Sequence, residues 1–282
     1  MADAASLLMS EFAPEVAADL GFELALLSDI GTARQNNEDC CASYIENENC
    51  AVFVVADGIG GYEGGEIASS QAVEVTLSAF RESPPSWGAA KRLHRAVQRA
   101  NIEVHNRALS VPELRRMGTT LTAAAVSDGV LYAAHVGDCR IYHLRRGKIR
   151  QITKDHTIVQ ERVRMGLLSA AKARNHPDRS ALTRCLGHEL IVSVDQIRMP
   201  LEQNDQLIIG SDGFYTIFDE EEFDRLIRGL DATAACRRLI DLANDRGTAD
   251  NLTVALFRQK AEVASPQPRG WRAQMARLLR WR

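Results

Sequence analysis

Residues 119–153 read Thr119-Thr-Leu-Thr-Ala-Ala-Ala-Val-Ser-Asp-Gly-Val-Leu-Tyr-Ala-Ala-His-Val-Gly-Asp-Cys-Arg-Ile-Tyr-His-Leu-Arg-Arg-Gly-Lys-Ile-Arg-Gln-Ile-Thr153. Four apolar or alternating runs follow one another here, Thr119–Val126, Val130–Val136, Arg140–Leu144 and Ile149–Thr153, each of strand length. Ser127-Asp128-Gly129-Val130 and Arg146-Gly147-Lys148 supply tight-turn chemistry between neighbours, so consecutive strands should pair antiparallel as a meander.

Working outward, similar runs occur at Phe22–Ser28, Cys40–Ile45, Cys50–Ala56, Ile191–Arg198, Gln206–Gly210 and Leu252–Phe257. Helical spacing appears over Ile67–Phe80 and at Leu93, Val97, Ala100, Val104 and Ala108, where steps of four and three build one apolar stripe. The opposite face of that second helix carries Arg92, Arg95 and Arg99 and reads as a solvated face. Two more amphipathic helices are predicted at Glu221–Gly229 and Thr233–Asn244. Strands and helix pairs in separate blocks, without βαβ alternation, predict an α+β layered domain over about residues 21–260. Residues 1–20 form an N-terminal extension, and Ser-Pro-Gln-Pro at 265–268 opens a linker and tail within 261–282.

Composition narrows the function classes. At 282 residues, 45% apolar and 25% charged, the chain can close a large core. The longest stretch free of Asp, Glu, Lys and Arg, Met117–Ser127, is eleven residues, too short for a spanning helix. The first 33 residues hold six acids and no Lys or Arg, the reverse of a secretory signal, so a cytoplasmic location is expected. The six cysteines include no C-x-x-C pair and read as reduced core thiols. Residues 261–282 carry a net +4 and the remainder −7, which argues against a nucleic-acid partner.

The chemistry lies in where the acids fall. Asp57 ends Ala51–Ala56, Asp138 follows the run ending at Gly137, and Asp212 follows Leu207–Ser211. Glu38-Asp39 precedes a strand, and Asp250-Asn251 opens one. Carboxylates gathered at one sheet edge repel and raise one another's pKa unless cations intervene. All-oxygen ligands select Mg²⁺ or Mn²⁺ over zinc, and a pair of such ions can clamp a phosphoryl group and activate water. The glycines at 58, 60, 61, 64 and 65 let a backbone carbonyl approach a metal. Arg34, four residues before Glu38, offers a planar fork for phosphate oxygens.

The chain resembles the type 2C family of metal-dependent protein serine/threonine phosphatases, particularly its bacterial members. The resemblance rests on Gly31-Thr-Ala-Arg34-Gln-Asn-Asn37-Glu38-Asp39, Asp57-Gly-Ile-Gly-Gly61, Gly118-Thr-Thr120, Gly137-Asp138-Cys-Arg140, Leu182-Thr-Arg-Cys-Leu-Gly187, Ser211-Asp212-Gly213 and Asp250-Asn251-Leu-Thr253, in the family's order over about residues 22–258. It implies two stacked antiparallel sheets flanked by helix pairs, with the metals at one edge. It further implies that Asp57 bridges two ions, that the Gly58 carbonyl and Glu38 serve one, and that Asp212 and Asp250 serve the other. Asp39 would act beside them, Arg34 would hold the substrate phosphate, and Asp138 with Asp212 would hold a third, weaker ion.

The implied activity is hydrolysis of phosphoserine and phosphothreonine by a metal-bridging hydroxide, opposing a partner Ser/Thr kinase and acting on its targets. A phosphoprotein-binding pseudophosphatase is the alternative, and a hydrolase of small phosphoesters is a third reading that uses the same site. The basic stretch Arg162–Arg184 matches the family's flap. His156 and His176 bracket it and are candidates for substrate contact by loop location alone, whereas His135, within a strand, reads as a core histidine. Ile59 and Tyr62 depart from the family, which often has His at these places; Ile59 can donate no proton. In the tail, Trp271, Met275, Leu278 and Leu279 fall on one helical face with Arg272, Arg277 and Arg280 mainly off it. Self-docking or a frayed end is one expectation for it; docking to a partner or, peripherally, to the inner membrane face is the other.

Overall fold

A period-two code in the third strand sets the layering. In the computed structural model, which describes residues 20–60, 64–84, 86–174 and 176–260, Val52, Val54 and Ala56 face one core while Ala51, Phe53 and Val55 face another. That is the alternation of a strand buried on both faces.

The strands are β1 (Phe22–Asp29), β2 (Asp39–Asn47), β3 (Cys50–Ile59), β4 (Gly118–Thr119), β5 (Leu121–Ser127), β6 (Val130–Val136), β7 (Arg140–Arg145), β8 (Lys148–Gln151), β9 (Asp195–Pro200), β10 (Gln206–Gly210) and β11 (Leu252–Gln259). They form two antiparallel sheets, β1-β11-β10-β7-β8 and β2-β3-β5-β6-β9, with β4 pairing the end of β3. The helices are α1 (Gly64–Glu82), α2 (Ala89–Ser110), α3 (Ile158–Arg164), α4 (Ala170–Arg174), α5 (Asp212–Tyr215), α6 (Glu222–Ile227) and α7 (Ala232–Asp245).

Phe22, Phe53 and Phe257 stack between the sheets, with Phe53 and Phe257 centroids 5.8 Å apart. Outside them, α1 and α2 cover one sheet, while α6 and α7 cover the other. The α+β sandwich flanked by helix pairs is therefore as expected. Asp128, at φ 49°, and Gly129, at φ 68°, make the β5–β6 turn that the Asp-Gly pair called for.

Two local expectations are corrected. The strand read at Ile191–Arg198 begins only at Asp195. Val192 is instead buried against the α2 core, and its carbonyl accepts from Gln98 Nε2 at 3.0 Å, so side chains of α2 hold this segment and Ile191 is left 78% exposed. Arg92 is not part of a solvated face: it is buried, bonded through both terminal nitrogens to Glu46 at 3.0 and 2.7 Å and to the Phe80 carbonyl. Arg95 and Arg99 are exposed as read. The Arg162–Arg184 stretch takes in the last residues of α3 and all of α4, both too short to show a helical period in the sequence. The N-terminal extension up to residue 19, Gly61, Tyr62 and the tail at 261–282 lie outside the described residues.

Candidate active site

Strand ends carry the acids to one edge of the sandwich. Asp57 sits near the end of β3 directly opposite Asp39, the first residue of β2. Asp138 lies in the turn between β6 and β7, Asp212 opens α5 straight after β10, and Asp250 precedes β11. Glu38 and Arg34 come from the loop that joins β1 to β2.

The structure brings these groups together electrostatically. Burial, then the negative neighbours Asp39, Asp212, Asp138 and Asp250, push the Asp57 carboxyl far above its ordinary value. Burial and Asp212 do the same to Asp138, and burial with Asp250 raises Asp212. Asp39 is pushed up to about 7 by burial, although Ser211 and Thr253 hydrogen-bond it. Glu38 is raised by burial against the pull of Arg34. Arg34 Nη2 donates to Asp250 Oδ2 at 2.8 Å, with roughly half of its side chain exposed, 47%.

A backbone cradle fixes the acids. Thr120 Oγ1 accepts from the Asp57 amide at 2.9 Å, and Thr119 Oγ1 donates to the Asp57 carbonyl at 2.9 Å. Ser211 Oγ donates to Asp39 Oδ2 at 2.7 Å. Asn251 ties the β1–β2 loop to β11: its Oδ1 accepts from the Glu38 amide, and its Nδ2 donates to the carbonyls of Ile30 and Asn36, all at 2.9 Å. Gly58 is required by proximity. A Cβ there would lie 2.2 Å from the Gly65 carbonyl oxygen and 2.6 Å from that of Glu38. The sequence reading quoted Thr119, Thr120, Ser211 and Asn251 within motifs and gave them no role.

The donor set fits hard divalent cations. Several buried carboxylates whose mutual repulsion raises their pKa lack only positive charge to remain ionised. Among the described residues, no group of three or more His, Cys, Asp or Glu side chains is arranged to hold a metal ion. An ion here would draw on carboxylates together with a carbonyl such as that of Gly58 and with water, the manner of Mg²⁺ in particular.

The histidines stand apart. His135 is buried, bonded to Thr122 Oγ1 at 2.9 Å and the Lys154 carbonyl at 3.1 Å, and burial lowers its pKa to about 4. His156, a candidate for substrate contact, is instead buried against it, with ring centroids 4.7 Å apart. Its Nδ1 accepts from the Gly137 amide at 3.0 Å, which makes it a prop behind the turn that carries Asp138. Nε2 lies 3.3 Å from Asp195 Oδ2. His176 is half-buried, and its Nδ1 accepts from the Asp178 amide. All six cysteines are free, and burial raises the Cys139 thiol far above its ordinary value, which leaves no thiolate nucleophile beside Asp138.

Known proteins share this arrangement of chain. The family model described as protein phosphatase 2C matches residues 31–256. The Listeria monocytogenes serine/threonine phosphatase stp is 35% identical over 233 residues, covering 81% of this chain and 92% of that one. The crystal structure of the Mycobacterium tuberculosis serine/threonine phosphatase PstP/Ppp superposes with a TM-score of 0.77 at 32% identity, covering 85% of this chain and 99% of its own. A PstP catalytic domain in complex with two manganese ions gives 0.75 at 30%, covering 85% and 99%. With a family match that takes in every strand from β2 to β10, most of β11 and the acidic edge, the chain belongs to the protein phosphatase 2C family.

Proposed function

We propose that this serine/threonine protein phosphatase works with two divalent cations held at the acidic edge, Asp57 serving both, the Gly58 carbonyl and Glu38 serving one, and Asp212 and Asp250 the other. The observation that carries the reading is the gathering of Asp57, Asp138, Asp212 and Asp39 behind Arg34, with burial and mutual repulsion raising each carboxyl. The manganese complex of the related PstP domain supports it. When bound, such ions supply Lewis acidity and lower the pKa of water at the reaction centre.

The chain's own residues do the rest. Arg34 presents its free guanidinium edge to the phosphate of a phosphoserine or phosphothreonine, while Asp250 holds the other edge in place. Thr119 and Thr120 prevent the Asp57 backbone from turning when the charge around it changes. Ile59 carries no proton, so this position does not protonate the departing serine oxygen. Asp138 with Asp212 would hold a third, weaker ion. A pseudophosphatase is disfavoured, because Arg34, Glu38, Asp57, Asp212 and Asp250 are all present. The natural substrates would be a partner Ser/Thr kinase and its targets.

Phosphate release from a phosphothreonine peptide tests the reading. Activity should vanish with a chelator, return with Mn²⁺ and survive thiol alkylation. Asp57→Asn should cost several orders of magnitude, and full turnover by that variant without metal would sink the two-ion assignment. In the same series, Asp138→Ala should lower turnover and bind one ion fewer. An unchanged stoichiometry would remove Asp138 from the metal set.

A further inference from the structure

Beside the carboxylate cluster lies a cavity of about 400 Å³ whose lining includes Gly60, Gly64, Glu113, Arg115, Arg116 and Met117. β4 determines its position. Gly118 and Thr119 pair with Ile59 and Gly58, so the chain approaches β4 through Arg115, Arg116 and Met117 alongside the strand end that bears Asp57. The floor is firm: Met117 is buried, its amide donates to the Leu114 carbonyl at 2.8 Å, and a Cβ on Gly60 or Gly64 would lie 3.3 Å from Met117.

The rim is charged. Arg115 and Arg116 are exposed, and among the described residues neither guanidinium has a hydrogen bond or ion pair. Among the described lining residues Glu113 is the one acid, against two guanidinium groups. Arg34 already has a carboxylate partner in Asp250, whereas these two forks are open to a ligand. Thr119 of β4 bonds the Asp57 carbonyl directly, and Arg116 and Arg115 stand three and four residues before it, at most about 10–14 Å of chain, so an anion two to three residues along an extended peptide comes within reach of these long side chains.

We propose that this cavity is a second anion site, in which Arg115 and Arg116 receive a carboxylate or phosphate side chain two to three residues from the phosphoserine or phosphothreonine undergoing hydrolysis. The enzyme then prefers acidic or multiply phosphorylated segments. The inference deepens the phosphatase reading above and rests on it.

The test uses the full-length protein and phosphothreonine peptides of one length. One has neutral flanks, others carry Glu, or a second phosphothreonine, two or three positions to either side, and p-nitrophenyl phosphate serves as an ester too small to reach the cavity. Anionic flanks should raise kcat/KM by about fivefold to tenfold, chiefly through KM, and the gain should shrink as salt rises. Arg115→Ala/Arg116→Ala, and the length-preserving Arg115→Gln/Arg116→Gln, should abolish the gain while sparing the neutral peptide and the small ester. Arg115→Glu/Arg116→Glu should shift the preference to Lys-flanked peptides. Anisotropy of the same labelled peptides on chelator-treated protein reads the preference without turnover. A wild type inactive on every ester would therefore fail the phosphatase reading, while binding still decides the cavity. A gain confined to the doubly phosphorylated peptides supports the site and narrows it to phosphate. No preference in the wild type, or an undiminished one in the folded variants, overturns it.

Discussion

Among single residues, Arg34 has one guanidinium nitrogen engaged by Asp250, and in the proposed function the exposed remainder receives the substrate phosphate. Arg34→Ala should raise KM by the equivalent of about 1.5–3 kcal/mol, the worth of a charge-assisted hydrogen bond, with kcat less affected. Calorimetry should still find the ions bound; lost Mn²⁺ affinity at unchanged KM would reassign the residue to the metal set. The acids make a second prediction. The folded pKa values of Glu38, Asp39, Asp57, Asp138 and Asp212 are raised, that of Asp39 to about 7, so the metal-free fold holds protons that the unfolded chain has already released, for Asp39 between about pH 4 and 7. Ions must expel those protons to bind. Apparent affinity should therefore fall as pH drops below about 7, with proton release visible as a buffer-dependent binding heat. A flat profile between about pH 6 and 8 would contradict the clustered-acid picture.

At the level of elements, the end of β3 and the start of α1 form a junction in which backbone meets backbone. Gly58→Ala places a methyl group within 2.2 Å of the Gly65 carbonyl oxygen, which no side-chain movement relieves. It should cost about 1–3 kcal/mol or more in urea unfolding and weaken metal binding, whereas Gly88→Ala, with nothing within 4 Å, should cost less than about 1 kcal/mol. Equal effects would mean the junction yields. The strands, both helix pairs and the acid positions were legible in the sequence, because apolar runs end in Asp57, Asp138 and Asp212 and because turns and stripes have recognisable periods. The cradle was not. A threonine in a β-rich run, such as Thr120, reads first as a strand former, and its hydroxyl partner is 63 residues away. Segments of four to seven residues such as α3, α4 and α5 cannot display a 3.6-residue repeat. His156 does lie in a loop, but nothing local announces that it will be buried against His135.

Considered whole, the molecule closes on itself at Lys260, whose amide donates to the Gly21 carbonyl at 2.9 Å. We propose that the catalytic domain ends there and that the basic tail is an appendage for anionic surfaces. Deleting residues 265–282 should leave peptide turnover intact and abolish salt-sensitive sedimentation with anionic vesicles, each Arg near such a surface being worth about 1 kcal/mol. If the full-length protein ignores those vesicles at low salt, the membrane role is excluded and docking to a partner protein remains. The pairing of β1 with β11 has another consequence, in time. Arg34 and Asp250, which meet in the site, are 216 positions apart, and β11 fills the gap between β1 and β10. A ribosome making this chain over about 15–55 s delivers Arg34, Glu38 and Asp57 early and Asp250 almost last. Every shorter nascent chain lacks both Asp250, a ligand in the proposed site, and the strand that aligns the others. On that assignment the enzyme stays silent until β11 takes its place between β1 and β10.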